Sequence, residues 1–184
     1  MTEKTNFPVP ADDGATDHIK PGSQLPKVTL RATDGTEFCL ADHEGRLVVF
    51  IYPWTGRPGV PNPPGWDDIP GAHGSTPEIE GFSHLVDDFA DSEIAVFGLS
   101  TQTTEYQREL VERLNVPFPI LSDAEGEFAS ALRLPTFETG GVAYLKRVSL
   151  IVYDGTIEAV FYPVKQPERH ARDVLDWFSR EARR

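Results

Sequence analysis

Side chains suited to acid–base chemistry are concentrated near the middle of the chain. His73, Ser75 and Glu78 follow one another at short spacing, and Glu80 and His84 come directly after them. A hydroxyl close to a base is the usual form of an activated nucleophile or a proton donor. Glu80 and His84 have the i, i+4 spacing of half a metal site, although an ion pair on an exposed helical face explains the same spacing.

The residues around Ser75 also have a purely local interpretation. Ser75 and Glu78 show the spacing of a capping box, and Pro77 suits the first turn of a helix. This pattern predicts that the Ser75 hydroxyl caps a helix, a contact that contributes about 1 kcal/mol of stability.

A long loop leads to this helix. Residues 53–77 contain seven prolines and five glycines in 25 positions, a composition that disfavours regular structure. Loops this long in compact domains are usually functional or disordered, and two tryptophans favour an ordered one. The loop joins the end of a predicted strand to a helix N-terminus, where α/β sheets bind ligands and anions. We therefore expect substrate binding here, with Tyr52, Trp54, Trp66, Gly74 and Glu78 as candidate residues.

The elements that must position this loop follow from hydrophobic periodicity. Two continuous apolar runs, 47–52 and 94–99, are typical of central strands buried on both faces. Phe82, Leu85, Val86 and Phe89 form one helical stripe. Further elements are predicted as hairpins over 28–40 and 148–162, helices over 104–114, 124–132 and 167–180, and a short strand over 118–121. This order predicts an α/β sandwich with a mixed sheet.

Composition narrows the class of protein. The 184 residues suit one domain, and we divide them into a flexible N-terminal arm over 1–23 and a folded domain over 24–184. The polar arm is either mobile or wrapped over the surface of the domain. The net charge of −12 argues against nucleic acids and anionic membranes as partners. The lone cysteine, Cys39, excludes an internal disulfide and a cysteine-rich zinc site. With no secretory signal and no apolar span in the sequence, we expect a cytoplasmic protein.

Five segments in the same order resemble the peroxiredoxins, the redoxin branch of the thioredoxin superfamily. They are the opening hairpin LPKVTLRATDGTEFCL, the strand end Phe50–Pro53, Gly98–Ser100, Pro117–Asp123 and Lys146–Ile151. The resemblance runs from about Gln24 to Phe178. It implies a thioredoxin-like fold with a central mixed sheet, flanking helices and an added N-terminal hairpin. It also implies an antioxidant oxidoreductase that reduces peroxides with a thioredoxin-type reductant and needs no cofactor or metal.

The resemblance also assigns roles to single residues. Pro53 matches the proline that shapes the family's peroxide pocket, and Arg147 matches the arginine that lowers the thiol pKa and holds the peroxide. The threonine of the pocket falls on Thr76, or on Thr55 because the long loop breaks the usual spacing. The peroxidatic cysteine falls on Ser75. The position of an early resolving cysteine, near Glu80, holds no cysteine either.

Ser75 leaves three functions open. The chain is a thiol-peroxidase scaffold with an altered nucleophile, inactive in this form. Alternatively, it is a non-redox enzyme that uses Ser75, His73 and Arg147 on an anionic small molecule. Finally, it is a redox-silent binding or regulatory protein, with the acidic surface and the tryptophan-bearing loop as its means of recognition. The resemblance also implies a homodimer, because members of the family commonly associate through sheet edges or loop surfaces.

Overall fold

The computed structural model describes residues 6–184. Its main sheet has seven strands in the order β2-β1-β5-β4-β3-β8-β9, and β6 and β7 form a separate two-stranded ribbon. The strands are β1 Thr29–Ala32, β2 Glu37–Cys39, β3 Arg46–Ile51, β4 Ile94–Ser100, β5 Ile120–Ser122, β6 Thr136–Thr139, β7 Val142–Leu145, β8 Val148–Tyr153 and β9 Thr156–Phe161. The helices are α1 Ser75–His84, α2 Val86–Asp91, α3 Thr104–Leu114, α4 Glu127–Leu132 and α5 Pro167–Glu181.

The centre of the sheet is mixed. β3 runs parallel to β4 and antiparallel to β8, and β4 runs parallel to β5. Successive β3 side chains enter opposite cores, because strand side chains alternate between the two faces. Val49 lies in the core beneath the ribbon and α4, while Phe50 packs with α1, α2, α3 and α5. The predicted α/β fold with a central mixed sheet is confirmed.

Three sequence expectations need correction. The stripe from Phe82 to Phe89 is divided between α1 and α2, because Leu85 leaves helical geometry and its amide bonds to Phe82 in a tighter turn. The ribbon formed by β6 and β7 was not predicted. The loop ends at Gly74, since Ser75 already belongs to α1, and it contains one short 3-10 turn over Trp66–Asp68.

Candidate functional site

The first turn of α1 lies against the first turn of α5. Gly74 precedes α1 with φ of 111°, a left-handed conformation that glycine adopts readily. A Cβ atom at this position would lie 2.6 Å from Cγ of Pro167, the first residue of α5. The close packing of the two helix starts therefore requires glycine at position 74.

Ser75 is buried, with 4% of its surface exposed. Its Oγ accepts a hydrogen bond from Nη2 of Arg147, at 3.1 Å. The capping prediction is wrong, because Gly74 occupies the cap position and makes no side-chain bond to the helix. The structure instead places the Ser75 hydroxyl between a helix N-terminus and a guanidinium group, both of which favour negative charge.

Arg147 holds the end of the long loop against α1. It directly precedes β8 and is 3% exposed. Its Nη2 donates to the backbone oxygens of Gly71, Ala72 and His73 at 3.2–3.4 Å, and its Nη1 pairs with the carboxylate of Glu78 in α1. One guanidinium thus joins the strand, the loop and the helix.

Glu78 is completely buried beneath the first turn of α1. Burial raises its pKa to about 7, and the neighbouring positive charge of Arg147 opposes this rise. Glu78 therefore supports Arg147 from below rather than lining a cleft. The predicted binding residue Tyr52 is also completely buried, and burial raises the pKa of its hydroxyl.

The surface above Ser75 is a cleft of about 580 Å³. Trp54, Trp66, His73, Gly74 and Thr76 line it, as predicted binding or catalytic candidates. The Trp54 and Trp66 rings meet edge to face with centroids 5.5 Å apart. This contact joins two parts of the loop beside the cleft, whereas Pro53, the predicted pocket proline, is buried and does not line the cleft.

His73 and the two threonines make contacts that differ from the expected ones. The His73 ring bonds through Nε2 to Oδ1 of Asp67 at 2.7 Å and not to Ser75. The Thr55 hydroxyl and amide both donate to Oε1 of Gln102, at 3.1 and 3.2 Å. Thr55 thereby anchors the start of the loop, whereas Thr76 is partly exposed in the cleft.

The two residues of the predicted half metal site lie outside the cleft. Glu80 and His84 are exposed on the outer face of α1. Across residues 6–184, no group of three or more histidine, cysteine or acidic side chains is arranged to hold a metal ion. Over the same residues, no helix is both long and apolar enough to cross a membrane.

Comparison with known proteins identifies the family. The sequence profile of the redoxin family matches residues 20–175. The chain belongs to the peroxiredoxins. Peroxiredoxin Bcp of Escherichia coli is 26% identical over 169 residues, which cover 89% of this chain and 98% of Bcp. Peroxiredoxin bcp1 of Schizosaccharomyces pombe is 31% identical over 126 residues, or 67% of this chain.

A solved structure supports the same fold. The cysteine-to-serine mutant of PrxQ from Xylella fastidiosa superposes with a TM-score of 0.74 at 22% identity, covering 90% of this chain and 98% of that one. The chain spans 57% of the length of the fission yeast relative and 65% of that of rice peroxiredoxin Q. The predicted family and its thioredoxin-like fold are confirmed.

Sequence reasoning did not find two of the segments that line the cleft of this peroxiredoxin. Residues 6–10 and 164–168 also line the cleft. Residues 6–10 and 164–166 are irregular and 167–168 only begin α5, so no periodicity marks them, and the contacts they make join distant parts of the chain. The proline at 167 was a readable signal for the start of α5 but not for its contact with Gly74.

Proposed function

We infer that this chain is a peroxiredoxin-type protein that keeps a peroxide pocket but has no thiol peroxidase activity, because Ser75 occupies the nucleophile position. One observation carries the inference. The Ser75 hydroxyl lies in the first turn of α1 and 3.1 Å from Nη2 of Arg147. The family resemblance assigns the peroxidatic sulfur to this place.

The difference between a serine hydroxyl and a cysteine thiol explains the expected loss of peroxidase activity. A free cysteine has a pKa near 8.5, and a helix N-terminus with a neighbouring arginine lowers it, so that a thiolate is available to attack peroxide. The sulfur then becomes a sulfenic acid, a step for which a serine hydroxyl has no equivalent.

Cys39 does not replace Ser75. It ends β2, which is the edge strand of the sheet, four strand spacings from β3 in the order of strands. At about 4.8 Å per spacing, this separates the two strands by about 19 Å. Cys39 is therefore a free thiol away from the proposed pocket.

The deciding experiment compares four proteins: the unsubstituted chain, Cys39→Ser, Ser75→Cys and the double variant. Consumption of hydrogen peroxide and cumene hydroperoxide is followed with thioredoxin and its reductase, and dimedone labelling detects the sulfenic acid in a single turnover. We expect activity only in the two proteins that carry Ser75→Cys. We also expect iodoacetamide titration to place the thiol pKa of the double variant below about 8.5.

Two results would refute the inference in different ways. Peroxide turnover by Cys39→Ser alone would show that the chain reduces peroxide without a thiol. A folded double variant that forms no sulfenic acid would show that the pocket is no longer built for peroxide. A thioredoxin-type reductant, a cytoplasmic location and a homodimer remain predictions, supported by the family resemblance and the single cysteine.

A further inference from the structure

Residues 6–13, a part of the N-terminal arm that is called the arm from here on, run along one side of the cleft. Residues 6–10 of the arm line the cleft together with Ser75 and Thr76. Ser75 is 4% exposed with the arm in this position. The arm and Ser75 therefore lie on the same cleft.

The first attachment of the arm is to the end of the long loop. The Phe7 ring stacks on the His73 ring with centroids 3.5 Å apart and planes 9° from parallel. The Gly71 amide donates to the Pro8 oxygen at 3.2 Å, and Pro10 packs so closely that a Cβ on Gly71 would lie 3.3 Å from its Cγ. Arg147 thus holds the loop segment 71–73 through its carbonyl oxygens, and the arm contacts the same segment at the Gly71 amide and the His73 ring.

The second attachment is a carboxylate bound by two side chains. Asp13 accepts a hydrogen bond from Lys146 at 2.8 Å and another from Tyr162 at 2.7 Å. The bonds to Lys146 and Tyr162 hold the pKa of Asp13 well below its usual range, so the carboxylate stays ionised at neutral pH. Lys146 directly precedes Arg147, and His73 lies two residues before Ser75. The arm is therefore attached close in sequence to both proposed site residues.

We propose that the arm is a removable wall of the cleft, in which Phe7 determines the size of the molecules that reach position 75 and Asp13 is the positioning residue that holds the wall in place. Phe7 closes one side of the cleft by covering His73. Asp13 fixes the other end of the arm through an ion pair that is partly exposed. High salt screens such a pair, so the wall opens more readily as ionic strength rises.

The experiment measures access rather than peroxide chemistry, so its failure is distinguishable from failure of the proposed function. The background is Cys39→Ser with Ser75→Cys, which leaves one thiol. It is combined in turn with Phe7→Ala, Asp13→Asn and the control Asp12→Asn. Asp12 has the same charge as Asp13, but within residues 6–184 its carboxylate accepts a hydrogen bond only from the amide of Gly14, the residue that follows the arm. Each protein is labelled with iodoacetamide, a small reagent, and fluorescein maleimide, a bulky one.

We expect Phe7→Ala to raise the ratio of the bulky to the small labelling rate by about three- to tenfold, the factor that the loss of one stacked aromatic pair implies. We expect Asp13→Asn to raise it by about two- to fivefold, the factor that the loss of a partly exposed ion pair implies. Asp12→Asn leaves the ratio at the background value. The ratio separates access from reactivity, because a changed thiol pKa alters both rates together.

Equal ratios in the background, Phe7→Ala and Asp13→Asn would overturn the proposal. A ratio raised equally by Asp12→Asn would also overturn it, since the effect would then follow from charge rather than from the contact with Lys146 and Tyr162. The two variants remove independent attachments. A misfolded protein in one case therefore leaves the other as the test, with thermal unfolding as the check.

Discussion

Replacement of Gly74 by alanine tests the contact between the two helix starts on which the site depends. The added methyl group meets two difficulties. The backbone at this position has φ of 111°, and the new Cβ would lie 2.6 Å from Cγ and 2.9 Å from Cβ of Pro167. Real Cβ atoms do not approach other carbons so closely, so α1 or α5 must move.

Gly126 is a matched control for this substitution. It also precedes a helix, α4, with φ of 71°, but an added Cβ would meet no atom within 4 Å. The left-handed backbone costs an L residue about 1–2 kcal/mol at either position. Overpacking adds about 1–3 kcal/mol at Gly74 alone. We therefore expect losses of about 1–2 kcal/mol for Gly126→Ala and about 2–5 kcal/mol for Gly74→Ala.

Urea denaturation of the two variants and the parent measures the difference. For a chain of this size, each kcal/mol also lowers the Tm by about 2–4 °C. Equal losses for Gly74→Ala and Gly126→Ala would refute the reasoning, because they would show that Pro167 does not press on the start of α1. An unchanged denaturant slope is needed to attribute the loss to the folded state.

Three further predictions concern the buried charges. Arg147→Ala leaves Glu78 buried without its partner, so urea denaturation should show a loss of about 3–5 kcal/mol in the free energy of unfolding. Adding Glu78→Gln to the same chain should recover part of this loss, and fully additive effects of the two substitutions would contradict the pairing. Burial raises the pKa of Glu78 to about 7 from 4.5, so the folded chain retains a proton that the unfolded chain has lost between those values. The contribution of Glu78 to stability therefore falls as the pH rises from 4.5 to 7, and denaturation midpoints measured across this range should vary less in Glu78→Gln. Burial lowers the pKa of His170, which bonds to Ser149, to about 3 from 6.5. The contribution of His170 to stability is therefore present above pH 6.5 and is lost as the pH falls towards 3. Denaturation midpoints of His170→Gln should decline less on acidification than those of the parent, and an equal decline would contradict a buried neutral ring.

The central strands could be predicted because an unbroken run of apolar residues indicates a strand buried on both faces. The run from Leu47 to Tyr52 is apolar at every position, and the structure buries it on both faces. The ribbon was missed although Gly140 and Gly141 form a two-residue turn signal between its strands. Its side chains are partly exposed, so the alternation that marks a half-buried strand is weak.

The site was less accessible to sequence reasoning, for a physical reason. Which partner the Ser75 hydroxyl takes depends on a competition between a nearby helix amide and a distant guanidinium. Local spacing shows only the first, and only the family resemblance pointed to Arg147. The contact between Phe7 and His73 joins residues far apart in the chain, and nothing in either neighbourhood marks it.

Because the long loop is anchored at both ends, its length can change without altering the geometry of the site. Thr55 and Gln102 hold the start through three hydrogen bonds, and Arg147 holds the end at residues 71–73. Residues 58–62 between these anchors are exposed. Lengthening a flexible segment whose ends stay fixed costs little free energy, about 0.6 kcal/mol per doubling. This stretch is therefore where evolution can insert or delete residues, and where an engineer can graft a peptide tag, while Ser75 keeps its place.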